Sequence, residues 1–408
     1  METRLAQWIQ GSSQGDTADS ILRACVHCGF CLATCPTYQL LGDELDSPRG
    51  RIYQIKQILE GAEPTRANQI HLDRCLTCRS CETTCPSGVE YGHLVDIGRA
   101  VVDKSVARPR RERALRWLLR EGLTRKWVFG SLMRIARAIA WALPRSVRTK
   151  VGRSRPAGPS PVRTHARKVL LLNGCVQPSI LPSIDAATSR VLDAIGIQAI
   201  VAPTSGCCGA IRHHLDDQAG ALDNARRNID AWWPLIDSGA VEAIVVNASG
   251  CASMIKDYAH LLRDSQYAAK ARRIVELACD PVDILSRVLG ELAQRSKLQA
   301  TPRVAFQAPC TLQHGLKIQG EVERVLTALG AEVVAVAEGH LCCGSAGTYS
   351  LLQSPISQSL RARKLENLLR QAPEVVLSAN IGCIAHLQGG TTTPVRHWIE
   401  WVDATLKY

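Results

Sequence analysis

No Gly-x-Gly triplet occurs anywhere in the 408 residues. The glycine fingerprint that lets a backbone approach a dinucleotide pyrophosphate is therefore missing. Gly-Lys-Ser/Thr is absent, and with it the P-loop; so are the Gly-x-Ser-x-Gly elbow and His-Glu-x-x-His. These absences exclude binding of flavin or nucleotide through a common motif. No run of 18 apolar residues exists, so no membrane-spanning helix is expected. Aromatic residues are scarce, at 4%. The opening Met-Glu-Thr-Arg-Leu-Ala-Gln-Trp has no apolar h-region, and no signal peptide is expected. Cysteine is the opposite case. Seventeen of them in a chain with a cytoplasmic look argue for metal rather than disulfides.

Eight of these cysteines form two runs. The first is Cys25-Val-His-Cys28-Gly-Phe-Cys31-Leu-Ala-Thr-Cys35-Pro36; the second is Cys75-Leu-Thr-Cys78-Arg-Ser-Cys81-Glu-Thr-Thr-Cys85-Pro86. Each is a complete C-x2-C-x2-C-x3-C-P run, the bacterial ferredoxin signature, in which the fourth Cys ligates the other cluster. The expected ligand sets are Cys25, Cys28, Cys31 and Cys85 for one [4Fe-4S] cluster, and Cys35, Cys75, Cys78 and Cys81 for the second. Pro36 and Pro86 fix φ and redirect the chain after the crossing ligand. A four-cysteine zinc site would use two C-x2-4-C knuckles rather than a four-Cys run closing in Pro. Between the runs, Asp46-Ser-Pro-Arg-Gly-Arg-Ile-Tyr53 predicts a helix with Ser47 as N-cap and Pro48 in its first turn. Ile52, Ile55 and Leu59 follow at helical spacing, so an α-helical ferredoxin domain is expected over residues 1–103.

The formal charge of +12 is concentrated. Residues 108–150 hold thirteen Lys and Arg against Glu112 and Glu121, giving 13 − 2 = +11 for that segment. There Leu132, Ile135, Ala136, Ile139 and Leu143 fall on one helical face, with Pro144 ending the pattern. Trp117, Trp127, Phe129 and Trp141 are interleaved with the basic residues. A basic amphipathic helix with tryptophans suits a membrane interface; the alternative is a helix docked on a partner or on the chain's own core. No recognition fold accompanies the charge, so nucleic acid is not expected as a partner. This segment, with the Pro/Gly/Ser linker from Arg153 to Pro161, spans 104–165.

The remainder repeats itself. Cys175, Cys207-Cys208-Gly209 and Cys251 correspond to Cys310, Cys342-Cys343-Gly344 and Cys383, the first three cysteines offset by 135 residues and the last by 132. Short apolar stretches precede each cysteine position: 169–173 and 303–307, 197–201 and 332–336, 243–247 and 374–378. With helical patterns between them, they predict two α/β copies with parallel strands, over 166–295 and 296–408. The fold class expected overall is α+β: the helical ferredoxin domain, then the duplicated cysteine-rich α/β domain. Ligands of such sheets bind beyond the carboxyl ends of the strands, so each copy can gather its four cysteines at one end. Gly209 and Gly344 let adjacent thiols turn to one centre. Each set can hold a further iron–sulfur cluster or be a structural or redox thiol site. Cys279 has no counterpart and reads as an ordinary buried Cys. His27, His213, His214 and His340 are given no catalytic role, and no residue here is read as catalytic.

Together these motifs resemble the iron–sulfur subunits of bacterial glycolate oxidases. More distant similarity extends to the iron–sulfur subunit of anaerobic glycerol-3-phosphate dehydrogenase, to lactate-utilisation proteins and to the cysteine-rich subunit of heterodisulfide reductase. The resemblance implies an electron-transfer subunit that works with separate FAD-binding dehydrogenase subunits. Those oxidise glycolate, and often D-lactate, and the electrons pass to a membrane quinone. The substrate site is then on another subunit, and the complex is cytoplasmic and peripheral on the inner face of the cell membrane. Equivalent subunits for glycerol-3-phosphate or lactate, and a self-contained heterodisulfide-type reductase, are the alternatives. In the heterodisulfide reductase protein each repeat ends in Cys-x-x-Cys. Here the copies end Cys251-Ala-Ser-Met254 and Cys383-Ile-Ala-His386. The final Cys is therefore missing from both copies, the clusters of that relative do not carry over directly, and copy two is the better candidate for a third cluster, at Cys310, Cys342, Cys343, Cys383 and His386, whose ring nitrogen can ligate iron. Cys175, Cys207, Cys208 and Cys251 form the weaker candidate, where Met254 is a soft but weak donor.

Overall fold

The computed structural model describes residues 1–142 and 155–408. The expectations touching Leu143, Pro144 and the start of the linker at Arg153 lie outside them. The chain divides into two units, Met1–Trp117 with His340–Lys364, and Leu118–Gly339 with Leu365–Tyr408.

The first unit is helical. Its main elements are α1 (Ser13–Ala24), α2 (Pro36–Leu41), α3 (Pro48–Leu59), α4 (Arg66–Asp73), α5 (Ser80–Thr84) and α6 (Tyr91–Ser105). α3 starts as its sequence dictates: the Ser47 hydroxyl accepts from the Gly50 N–H at 2.9 Å, and Pro48 occupies the first turn. Ile52, Ile55, Ile58 and Leu59 of α3 bury against Ile21 and Leu22 of α1, Leu72 of α4, and Leu94, Val95 and Val102 of α6. Gly98 permits the α3–α6 approach, since a Cβ there would stand 2.6 Å from Ile55. Cys25, Cys75 and Cys81 belong to this same apolar core.

The second unit holds two four-stranded parallel sheets of identical order. β1 (Arg167–Leu171), β2 (Ile197–Ile200), β3 (Ala243–Val245) and β4 (Ala278–Cys279) run β2-β1-β3-β4. β5 (Arg303–Gln307), β6 (Glu332–Val334), β7 (Val375–Ser378) and β8 (Val395–His397) run β6-β5-β7-β8. The duplication read from the cysteines is thus a duplication of topology. The first copy packs Leu170, Ile244 and Val246 against Trp232, Ile255, Tyr258 and Ile274.

Two helices, α7 (Arg110–Thr124) and α8 (Lys126–Ala138), carry the basic segment. Part of its charge is consumed internally. In the first unit Arg108 and Arg116 pair with Asp73, and in the second Arg120 pairs with Asp217 and Arg125 with Glu121. The apolar face of α8 behaves otherwise: Leu132 is 54% and Ile135 58% exposed, with Trp127 and Trp141 also exposed. Met133, outside the face read from sequence, is the residue of α8 that buries.

Two buried groups of the second unit give stability opposite pH dependences. Asp280 caps the helix Pro281–Leu285 through Oδ1 and the Val282 N–H, while its Oδ2 is buried without a partner. Burial pushes its carboxyl up to about 7. The stability it contributes is therefore present at pH 4 and lost as pH rises to 7. His397 is fully buried, and burial pushes its imidazole down to about 3 although Nε2 meets the Asn247 carbonyl at 2.8 Å. Its contribution is present above pH 6.5 and lost as pH falls. The two offset each other in the native chain. Asp280→Asn keeps the cap and should leave the second unit gaining on the order of 3 kcal/mol between pH 4 and 6.5, measured by denaturant melts across that range. A flat profile in the variant would refute this.

Candidate metal centres

The two cysteine runs adopt one backbone conformation, repeated 50 residues apart. His27 (φ 54°) and Gly29 (φ 87°) flank Cys28; Thr77 (φ 50°) and Arg79 (φ 60°) flank Cys78. These left-handed residues reverse the chain on either side of the middle cysteine, so that all three sulfurs of a run face inward. Gly29 adopts this conformation freely. Arg79 adopts it at a cost of about 1 kcal/mol, and its Nε bonds Glu82 at 3.0 Å, while Glu82 accepts from the Gly92 N–H at 2.6 Å.

One cavity is lined by Cys25, Cys28, Cys31 and Cys85, together with Cys81, which lines both. The other is lined by Cys35, Cys75, Cys78 and Cys81. The last cysteine of each run thus stands with the three of the other run. A tetrahedral zinc site, with Zn–S near 2.3 Å, needs sulfurs roughly 3.8 Å apart. Among the described residues no three cysteine sulfurs lie mutually within 4.8 Å. The cavities suit a polynuclear group, which spreads its thiolates over several metals. Burial pushes the Cys31 thiol up to about 11 and raises those of Cys25 and Cys81, with neighbouring sulfurs adding to the effect. Deprotonating them requires the positive charge that iron brings.

Around the second cavity lies a polar network that sequence reasoning missed. Asp46 is fully buried and accepts from Arg51 Nη2 at 3.1 Å and Arg74 Nη1 at 2.8 Å. His71 Nδ1 meets the same carboxylate at 3.1 Å. Arg51 also donates to the Thr37 hydroxyl and the His71 carbonyl, and Thr37 touches the Cys35 sulfur at 3.3 Å. A signal was present: Arg51 shares the α3 face of Ile55 and Ile58, an arginine where an apolar residue was due. Asp43, Asp46 and His71 lie close enough to ligate one cation. Arg51 and Arg74 already occupy the Asp46 carboxylate.

In copy one the structure brings all four sulfurs into a chain: Cys175 to Cys207, Cys207 to Cys208, Cys208 to Cys251. Those hydrogen bonds hold Cys207 well below the ordinary thiol range, helped by the Gly209 N–H at 3.4 Å and the Arg212 guanidinium. Met254 instead packs in the apolar core. Copy two repeats the local device, with the Gly344 N–H 3.4 Å from the Cys342 sulfur. Gly209 (φ 95°) and Gly344 (φ 86°) are both required, because a Cβ would come 2.9 Å from the Ala221 carbonyl oxygen and 2.5 Å from that of Ser357. Cys251 and Cys383 occupy the same position in the first turn of the helices Ser249–Lys256 and Ile381–Gln388, and His386 lies one turn after Cys383. Of the copy-two residues, Cys342 and Cys343 belong to the first unit, and Cys310, Cys383 and His386 to the second. Cys279 ends β4, half-buried, and burial pushes its thiol up to about 12. No described helix is long and apolar enough to cross a membrane.

A helical unit with two four-cysteine cavities, followed by a duplicated cysteine-rich α/β module, defines an iron–sulfur electron-transfer protein. Residues 21–89 match the 4Fe-4S dicluster domain family, and residues 169–256 and 304–388 the cysteine-rich domain family. The chain is 51% identical to the glycolate oxidase iron-sulfur subunit of Escherichia coli (strain K12), over 100% of both chains. It is 29% identical to the probable glycolate oxidase iron-sulfur subunit of Bacillus subtilis (strain 168), over 94% of this chain and 92% of that one. Identity to lactate utilization protein A of Geobacillus thermodenitrificans (strain NG80-2) is 26%, over 54% and 90% respectively. The chain belongs to the glycolate oxidase iron–sulfur subunit family.

Proposed function

We propose that the two cavities hold one [4Fe-4S] cluster each, with Cys25, Cys28, Cys31 and Cys85 as one ligand set and Cys35, Cys75, Cys78 and Cys81 as the other. The observation that carries this is the exchange of the fourth cysteine between the runs. When bound, each cluster accepts and releases a single electron, so a pair of them matches the two electrons of a reduced flavin. The partner is an FAD-binding subunit that oxidises glycolate, and D-lactate in the same way, to the 2-oxo acid. The chain's own residues hold the ligands apart, exclude water from Cys35, Cys75 and Cys81, and supply the surrounding charge. α8 carries the complex to the anionic inner face of the cell membrane, on the cytoplasmic side, where a quinone takes the electrons. Copy two, through Cys310, Cys342, Cys343, Cys383 and His386, is the candidate for a third cluster; copy one is the weaker candidate.

Iron and acid-labile sulfide on anaerobically purified chain test this, with EPR of the reduced form. About eight irons are expected from two cubanes, and about twelve if copy two is filled. In the second case Cys343→Ser should remove the extra signal. Fewer than about four irons would overturn the two-cubane reading.

A further inference from the structure

The two cavities differ in what surrounds them. The first opens to solvent: Cys28 is exposed, and so are Val26 and Phe30 on its lining, at 66% and 63%. The arginine on its lining, Arg49, is matched one to one by Glu44 through Nε–Oε1 at 2.6 Å, and the Met1 ammonium, part-exposed, donates to the Cys25 carbonyl at 2.9 Å. In the second set Cys35, Cys75 and Cys81 are buried and Cys78 half-buried, and the Arg51 side chain on the cavity wall is 1% exposed. Arg51 and Arg74 share the buried carboxylate of Asp46, with the exposed Asp43 carboxylate beside it at the surface; Arg51 is itself shielded from water, and the buried Arg99 donates to the Cys75 carbonyl at 2.7 Å, so cations are held against this cavity where solvent screens them least. Arg51 reaches the Cys35 sulfur through one hydroxyl, that of Thr37. Tyr91, also buried, lines the same cavity, and its hydroxyl has no hydrogen-bond partner among the described residues.

Net charge, hydrogen bonds to sulfur and solvent exposure set cluster potentials. Burial by itself disfavours the more negative, reduced form. A fixed cation at the same site favours it, and acts most strongly where water is excluded. Resting on the two-cluster reading above, we infer that Arg51 sets the cluster held by Cys35, Cys75, Cys78 and Cys81 at a higher reduction potential than the cluster held by Cys25, Cys28, Cys31 and Cys85. One electron leaving the exposed cluster, which is oxidised, then reduces the enclosed one. The electron is drawn inward, to the side where Tyr349 donates to the Arg74 carbonyl at 2.9 Å.

The test is an EPR-monitored redox titration of the full chain, with iron counted on each sample. Cys78→Ser identifies which signal belongs to the enclosed cluster. That signal should have the higher midpoint. Arg51→Gln should lower it at least tenfold in the one-electron equilibrium, 59 mV, and leave the other midpoint in place. Arg51→Lys, which keeps the charge, should restore most of the difference. Asp46→Asn should move the same midpoint the opposite way, upward, and decides the matter if Arg51→Gln fails to assemble. A reversed order in the native chain, or midpoints unmoved in Asp46→Asn and in any Arg51→Gln that assembles, with iron still at about eight, would overturn the inference. A native chain that lacks two four-iron signals would overturn the two-cluster reading instead.

Discussion

Cys75→Ser should reduce bound iron from about eight to about four per chain and destabilise the first unit. Cys75 is 8% exposed within the same apolar core as Ile55, Leu72 and Leu94. Its sulfur accepts from the Thr77 N–H at 3.4 Å, and its carbonyl accepts from Arg99 at 2.7 Å. A serine there offers a hard oxygen with a far higher pKa and a shorter reach. Because a polynuclear site is not preformed in an unfolded chain, its binding energy is also folding energy. Loss of one cluster should therefore lower the thermal midpoint and expose the unit to proteolysis. Cys279→Ser provides the contrast. That residue ends β4, lines neither cavity and should leave iron content unchanged. Equal iron in Cys75→Ser and the native chain would remove Cys75 from the ligand set.

The double variant Leu132→Glu, Ile135→Glu should weaken binding to vesicles of mixed neutral and anionic lipid at least a hundredfold. Each side chain is more than half exposed, so the replacement leaves no buried charge within the chain. Full burial of a Leu or Ile is worth about 1.5–3 kcal/mol, and two acidic groups add repulsion from the anionic surface. Arg134 lies between them on α8 and its guanidinium rests on the Ser131 hydroxyl, leaving a cation at the same surface. Co-sedimentation at two salt concentrations is the measurement. Native binding should fall with salt without vanishing, since the apolar part is unscreened. Unaltered sedimentation of the variant, with its clusters intact, would show that α8 is not the membrane contact.

These two effects trace to features of different legibility. The cysteine runs are local: ligand spacing and a closing proline need no tertiary information, and the exchanged fourth cysteines follow from the same pattern. The repeat was legible because three offsets agreed, and six of the eight strands lie where the apolar stretches before the cysteines placed them. β4 and β8, with two and three residues, are too short to leave a period-2 signal. Periodicity marked the apolar face of α8 but is blind to whether such a face is covered. Arg51 and Asp46 sit in a motif that is plain in the sequence, yet their pairing is a fact of tertiary burial. The division of copy two, with residues 340–364 grouped beside the ferredoxin helices, depends on packing between segments hundreds of residues apart.

The place of Tyr349 in the chain bears on biosynthesis. The wall of the second cavity includes Cys75, and the residue before it is anchored by Tyr349. A nascent chain emerges from its N-terminus onward, so both ferredoxin runs leave the ribosome long before Tyr349 does. Until nearly the whole polypeptide has been made, the ligand cysteines must wait without that anchor. A truncated product stopping before residue 340 would carry the whole lining of the second cavity without the hydrogen bond that holds Arg74 beside it.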